Sequence, residues 1–173
     1  MLKMNLYIQR LFLYGLAVIG FLLTSCSRIL PCNLSSGLTV LEDKPEPEFL
    51  VGKYVPDSKT IEWFKTYKDM KHPSMNIKLN GVYEIKDIPA GILDLDAFYY
   101  EDKTKKIDVR GKWKAVTHEK ATFFSVNVDF NKDQINAEDY GTSWQIFSKG
   151  EKAVIIIPVG DPDECRAVRF IKE

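Results

Sequence analysis

The stretch "SMNIKLNGVYEIKDI", residues 74–88, decides how the rest of the chain is read. Met75, Ile77 and Leu79 alternate with Ser74, Asn76 and Lys78 ahead of Asn80-Gly81, and Tyr83 and Ile85 continue the alternation beyond it. Side chains along a strand point to opposite faces with a period of two, so each arm presents one apolar and one polar face. Asn-Gly between two such arms supplies the left-handed backbone that a tight hairpin turn needs. The stretch predicts an antiparallel hairpin with one face in a core.

Working outward, the same signature recurs. "DVRGKWKAV" (108–116) puts Val109, Trp113 and Ala115 on one face, and "ATFFSVNVDF" (121–130) sets Phe124, Val126, Val128 and Phe130 against Ser125, Asn127 and Asp129. "TSWQIFS" (142–148) alternates Trp144 and Ile146, "KAVIIIPV" (152–159) is apolar throughout, and "RAVRFIKE" (166–173) closes the series. On the other side of the hairpin, "FLVGKYV" (49–55) reads as a first strand. Between them "DSKTIEWFKTYKDM" (57–70) reads as a helix: Asp57 is a cap residue, Trp63, Phe64, Tyr67 and Met70 share one side of the helical wheel, and His72-Pro73 ends it. Residues 89–106 read as a long loop. The result is an all-β fold of about eight strands with one α-helix after the first strand, joined mostly by short turns. That is an antiparallel up-and-down meander, and closing it into a barrel removes its edges.

Bulk numbers bound the functional classes. A chain of 173 residues fits one domain, and 45% hydrophobic with 12% aromatic residues is enough to fill a core. Lys plus Arg and Asp plus Glu both number 24; with Lys3 and Arg10 in the first 25 residues, the body carries 24 − 2 = 22 basic groups against 24 acidic ones. A near-neutral body gives no electrostatic reason to expect nucleic acid as a partner.

The N-terminus reads as an address. Met1–Arg10 is a short basic head, Leu11–Leu23 is an uncharged apolar run, and "TSC" follows. This is the layout of a secretory signal. As a membrane-spanning anchor it is borderline short, since a span needs about 20 apolar residues. Leu23-Thr24-Ser25-Cys26 resembles the lipobox of bacterial lipoproteins. The resemblance implies cleavage before Cys26, diacylglycerol on its sulfur and a fatty acid on the new N-terminus. Several acyl chains at about 0.8 kcal/mol per buried methylene make a durable membrane anchor. Ser27, in place of an Asp, implies the outer membrane. Residues 1–25 are then signal peptide, residues 26–48, with Pro45 and Pro47, a lipid anchor and flexible tether, and residues 49–173 the β domain. With Cys26 acylated, Cys32 and Cys165 remain as a candidate disulfide, closing a loop of about 130 residues worth roughly 5 kcal/mol. The alternative is two free thiols.

Within the β domain, Gly52 and Tyr54, Gly81 and Tyr83, and Gly111 and Trp113 resemble the glycine–aromatic strand pattern of small lipocalin-like lipoproteins. That resemblance implies a small barrel or half-barrel, and the helix after the first strand brings it closer to fatty-acid-binding barrels.

Catalytic chemistry finds little support. "GTSWQ" (141–145) has Gln145 where a nucleophile elbow requires glycine. His72 and His118 sit beside a proline and in a turn, and no two His or Cys residues share a zinc spacing. Asp129, Asn131 and Asp133 begin like a calcium loop that fails at Gln134 and Tyr140, and the carboxylates of "GDPDE" (160–164) suit a turn. Asp94 and Asp96 read as loop acids. No cofactor or metal is expected. The aromatic set Trp63, Phe64, Tyr67, Tyr83, Trp113 and Trp144 is the candidate apolar pocket, with the helix lying over the barrel mouth. The expected function is non-enzymatic: binding an apolar small molecule, or a structural role at the membrane. The alternative is a protein–protein module of an envelope assembly or an inhibitor. An enclosed cavity favours the binder, and an exposed strand edge the module.

Overall fold

The hairpin at 74–88 forms in the computed structural model as β3 (Ser74–Ile77) and β4 (Val82–Pro89), with Ile77 opposite Tyr83. The Lys78 N–H donates to the Val82 carbonyl and the Gly81 N–H to the Lys78 carbonyl, so the loop has three residues. Gly81 takes the left-handed position of that loop (φ 76°). The extra residue lifts Leu79 off the strand face: it is 65% exposed at the tip rather than in line with Met75 and Ile77.

The structure describes residues 34–64, 73–93, 105–160 and 165–173, without the side chains of 62–64, and all of them belong to one unit, Leu34–Glu173. The other strands are β1 (Thr39–Val40), β2 (Gly52–Pro56), β5 (Lys106–His118), β6 (Ala121–Val128), β7 (Tyr140–Lys149), β8 (Lys152–Pro158) and β9 (Ala167–Lys172). From β2 to β9 each strand pairs antiparallel with the next, and β9 returns to β2 to complete the ring. The meander is therefore a closed eight-stranded up-and-down barrel, with β1 added beside the end of β7. Inward residues alternate with outward ones, and a ring of this size is just wide enough for side chains to fill.

The two ends of the barrel differ. At the hairpin end lie the tight β3–β4, β5–β6 and β7–β8 turns. At the loop end lie the longer connections, including α2 (Ser58–Phe64) after β2 and α3 (Ala90–Leu93) after β4. Asp57 caps α2 as the sequence suggests, its Oδ1 accepting the Thr60 N–H at 2.8 Å. Thr60 Oγ1 in turn accepts the Arg169 N–H, which ties the helix to β9. His72, the expected helix stop, lies outside the described residues. Residues 90–93, read as loop, form a buried helical turn.

Two expectations for the N-terminal part are corrected. Phe49 and Leu50, read as the start of the first strand, instead end one helical turn, α1 (Pro47–Leu50), because Pro47 suits the first helical position and Leu50 drops into the barrel end. Residues 34–48, read as tether, are seated on the barrel. β1 extends the sheet, the Asp43 carbonyl accepts from Thr122 Oγ1, and the Glu48 and Phe49 carbonyls accept from Lys172 Nζ. Leu34 and Leu38 pack on Phe147, Val154 and Ile156, which point outward. This cover explains why "KAVIIIPV" is apolar on both faces: Ala153, Ile155 and Ile157 fill the interior while Val154 and Ile156 are buried outside it. Burying each of the latter two contributes about 1.5–3 kcal/mol.

Candidate functional site

Three of the six candidate pocket residues can be placed, and they are brought together. Phe124 stands between Trp113 (ring centroids 5.2 Å apart) and Trp144 (6.1 Å), both stacked on it, and Tyr83 meets Phe124 and Trp144 edge-on at 6.1 and 5.6 Å. These offset and T-shaped contacts are the favourable arrangements of aromatic rings. Tyr83, Trp113 and Trp144 thus interlock around Phe124, and Trp144 also borders a loop-end recess. Trp63 and Phe64 have no described side chains, and Tyr67 lies outside the described residues.

The glycine–aromatic pattern has a physical basis here. Tyr83 faces Gly111 across the β4–β5 ladder, and its hydroxyl reaches past β5 to donate to the Asn127 carbonyl on β6 at 2.9 Å. A Cβ on residue 111 would stand 1.8 Å from that carbonyl oxygen and 2.8 Å from the tyrosine ring. Trp113 uses its indole N–H in the same way, donating to the Lys78 carbonyl behind the hairpin turn. Burial pushes the Tyr83 hydroxyl far above the ordinary tyrosine range, aided by Tyr140 and Asp129, and burial does the same to Tyr54. Both phenols are neutral struts. Phe124, at the centre of the cluster, was legible only as one inward residue among several, because its role depends on strands that meet across the barrel.

Two surface depressions lie among the described residues. At the loop end a recess of about 250 Å³ is lined by Leu93, Tyr140, Thr142, Trp144 and Ile157, among others, and the Tyr140 hydroxyl donates to the Leu93 carbonyl at its rim. On the outer wall a cleft of about 480 Å³ runs along β4 and β5 beneath residues 129–131. Next to it is a bulge between Ile85 and Ile88, where Asp87 adopts φ 56° and donates its N–H to Asp108 Oδ1 at 3.0 Å. Glu84, Lys86, Asp108 and Arg110 line it. Glu84 is bonded to Lys78 at 2.8 Å, which lowers its pKa, and among the described residues Lys86 and Arg110 have no ion-pair partner within 4 Å.

Other candidate groups are spread apart. His118 is exposed at the β5–β6 turn, Ser143 is exposed on β7, and Asp94, Asp96 and residues 161–164 lie outside the described residues. In the 129–139 loop, Lys132 Nζ takes the Ala137 carbonyl and Asp139 Oδ1, so two acceptors serve the loop's own lysine. Among the described residues no group of three His, Cys, Asp or Glu is placed to hold a metal, and no helix is long and apolar enough to cross a membrane. Cys165 is disulfide-bonded, while Cys26 and Cys32 lie outside the described residues. No family model, no curated protein and no solved structure matches the chain.

Proposed function

We propose that this chain is a lipid-anchored lipoprotein of the bacterial cell envelope, on the outer membrane, whose barrel is a non-enzymatic protein–protein module. The observation that carries the module reading is the aromatic packing around Phe124. A barrel whose interior is occupied by its own rings works through its outer wall, and here that wall carries a polar cleft and an unpaired length of strand. The address rests on Leu23-Thr24-Ser25-Cys26 and the apolar run ahead of it. With Cys26 acylated, Cys32 is the partner of Cys165, in keeping with an oxidising compartment.

Labelling cells with an alkyne-bearing palmitate tests the anchor: the wild-type chain takes up label and Cys26→Ser does not. Equal labelling of both removes it. Photo-crosslinking amino acids at Lys53, Lys86, Ser143 and Lys152 sample the outer wall in cells. Crosslinks to one envelope protein from one side of the barrel are expected, and silence at all four positions would overturn the module.

A second reading has its own support. The loop-end recess has Trp144 in its wall and Leu93 and Ile157 beside it, a suitable lining for an apolar small molecule. Saturable quenching of tryptophan emission by a fluorescent fatty acid at micromolar concentration, lost in Leu93→Glu, would favour that reading.

A further inference from the structure

We propose that the end of β5 from Lys114 to His118 is a docking edge for an extended acidic segment of a partner protein, which adds to the barrel wall as a further strand. This rests on the module reading and names the partner chemistry. β5 is the longest strand, Lys106–His118, and outruns its neighbour β4. The β4–β5 ladder ends at Val82 opposite Lys112, followed by one bond from the Trp113 N–H to the Gly81 carbonyl. On its other side β5 is paired with β6 as far as His118 opposite Ala121. Backbone groups of alternate residues point to the same side of a strand, so Ala115 and Thr117, like Trp113, direct their N–H and C=O groups toward the side β4 has left. Among the described residues nothing pairs with them there. Val116, Thr117 and His118 are exposed and Ala115 is half-buried, so the edge is within reach of another chain.

An open edge is normally a liability, and flanking charge decides what can join it. Along the outer face beside this one lie Lys86 on β4 and Arg110, Lys112 and Lys114 on β5, none with an ion-pair partner among the described residues. Of the acids on this face, Glu84 is paired with Lys78, Asp108 accepts the Asp87 N–H and Asp129 stands opposite Arg110, so Lys112 and Lys114 are the charges nearest the edge. Because Lys112 is already opposite Val82, an incoming strand can pair only from Lys114 onward. A second copy pairing antiparallel about Val116 would bring its Lys120 up toward Lys112 and Lys114, and like charges brought that close disfavour the pairing. A strand with a carboxylate opposite Lys114 and another beside Lys112 gains where a second copy loses. Between the lysines, Val116 is 38% exposed and stands opposite Phe123 on the same outer face, which offers contact to one apolar side chain of the incoming strand. Main-chain hydrogen bonds with alternating side-chain contacts are the general mode of strand addition.

The test uses the full chain in detergent and two fluorescein-labelled nine-residue peptides, one alternating Glu and Val, the other Lys and Val. Anisotropy should show saturable binding of the Glu–Val peptide in the micromolar range and at least tenfold weaker binding of the Lys–Val peptide. Lys112→Glu with Lys114→Glu should invert that preference. Ala115→Pro removes an edge N–H without touching the β6 ladder and should weaken Glu–Val binding at least tenfold. If that variant does not fold, N-methylation of alternate amides in the peptide asks the same question of the intact protein and should abolish binding. Absence of binding, or equal binding of both peptides, overturns the proposal. So does binding that needs the lysines but survives Ala115→Pro and N-methylation, a pattern that points to an anionic lipid surface. A negative result here alongside one-sided crosslinks in cells would remove the edge and leave the module reading standing.

Discussion

The hairpin half of the barrel and the loop half are built from different material. Toward the hairpins the interior is richest in rings: Tyr54, Tyr83, Trp113 and Phe124 pack there, with Trp144 midway, and Tyr54, Tyr83 and Trp113 spend their polar atoms on carbonyls of neighbouring segments. Toward the loops it is mostly aliphatic, with Ile88, Ile92, Leu93, Ile107, Ile157 and Val168 joined by the Phe130–Tyr140 ring pair, and a surface recess opens beside it. The hairpin half is fixed by rings whose positions depend on one another. The loop half is held by contacts at separate places, such as the Asp57–Thr60–Arg169 cluster and the Tyr140–Leu93 bond. The ring cluster thus sits toward the end where the connections are shortest.

Substitutions can break that contrast, starting from its centre. Phe124→Ala empties the space shared by three rings and should cost about 3–5 kcal/mol, read as a lower denaturant midpoint. A loss near 1 kcal/mol would mean that the aromatic half is no better packed than the other. Gly111→Ala drives a methyl into the Asn127 carbonyl and should cost about 2–3 kcal/mol by overpacking.

Tyr83→Phe keeps the ring and removes the bond to Asn127, for about 1 kcal/mol at neutral pH. The same variant has a pH signature. Folded Tyr83 keeps its proton above the value, near 10, at which an unfolded tyrosine loses it. The unfolded chain then binds fewer protons than the native one, so stability falls as pH rises past about 10. Tyr83→Phe should make that alkaline fall shallower, with Tyr54 still contributing, and an unchanged slope would contradict the burial of the phenol.

At the loop end, Asp57→Ala should cost about 1 kcal/mol through the lost cap and speed amide exchange in α2 without altering exchange in β4 and β5. The smallest effect is expected from Lys78→Ala, which removes an exposed pair with Glu84 worth under about 0.5 kcal/mol.

How much of this was legible follows the same division. Asn80-Gly81 located the hairpin, and strict alternation located the strands on either side, because strand period and turn chemistry are local properties. Asp57 was readable as a cap for the same reason. Leu79 was misplaced because a three-residue loop and a two-residue loop differ only in how the chain turns. The ring cluster could not be read because Tyr83, Trp113 and Trp144 reveal that they face inward but not what faces them, and Phe124 reaches them only once register is set around the ring. Residues 34–48 look like a tether because Leu34, Leu38 and Leu50 are too widely spaced to show a period. What buries them is the wall and the end of a barrel assembled from distant sequence. The bulge at Asp87 had no signal at all, since it is a mismatch between two strands and belongs to neither alone.

Closure of the ring by β9 has a consequence for biosynthesis. β9 pairs with β2 and β8, Lys172 crosses over Gly52 to the α1 carbonyls, and Glu173 is joined to Lys53 through a backbone bond and an ion pair at 2.7 Å. A chain still growing on the ribosome can form its hairpins one by one, yet none of them can be sealed into a wall until the residues around 170 have been made. Until then it stays an open ribbon with two unmatched margins, pliable enough to be threaded through a narrow passage and exposed to any protease or chaperone along the way.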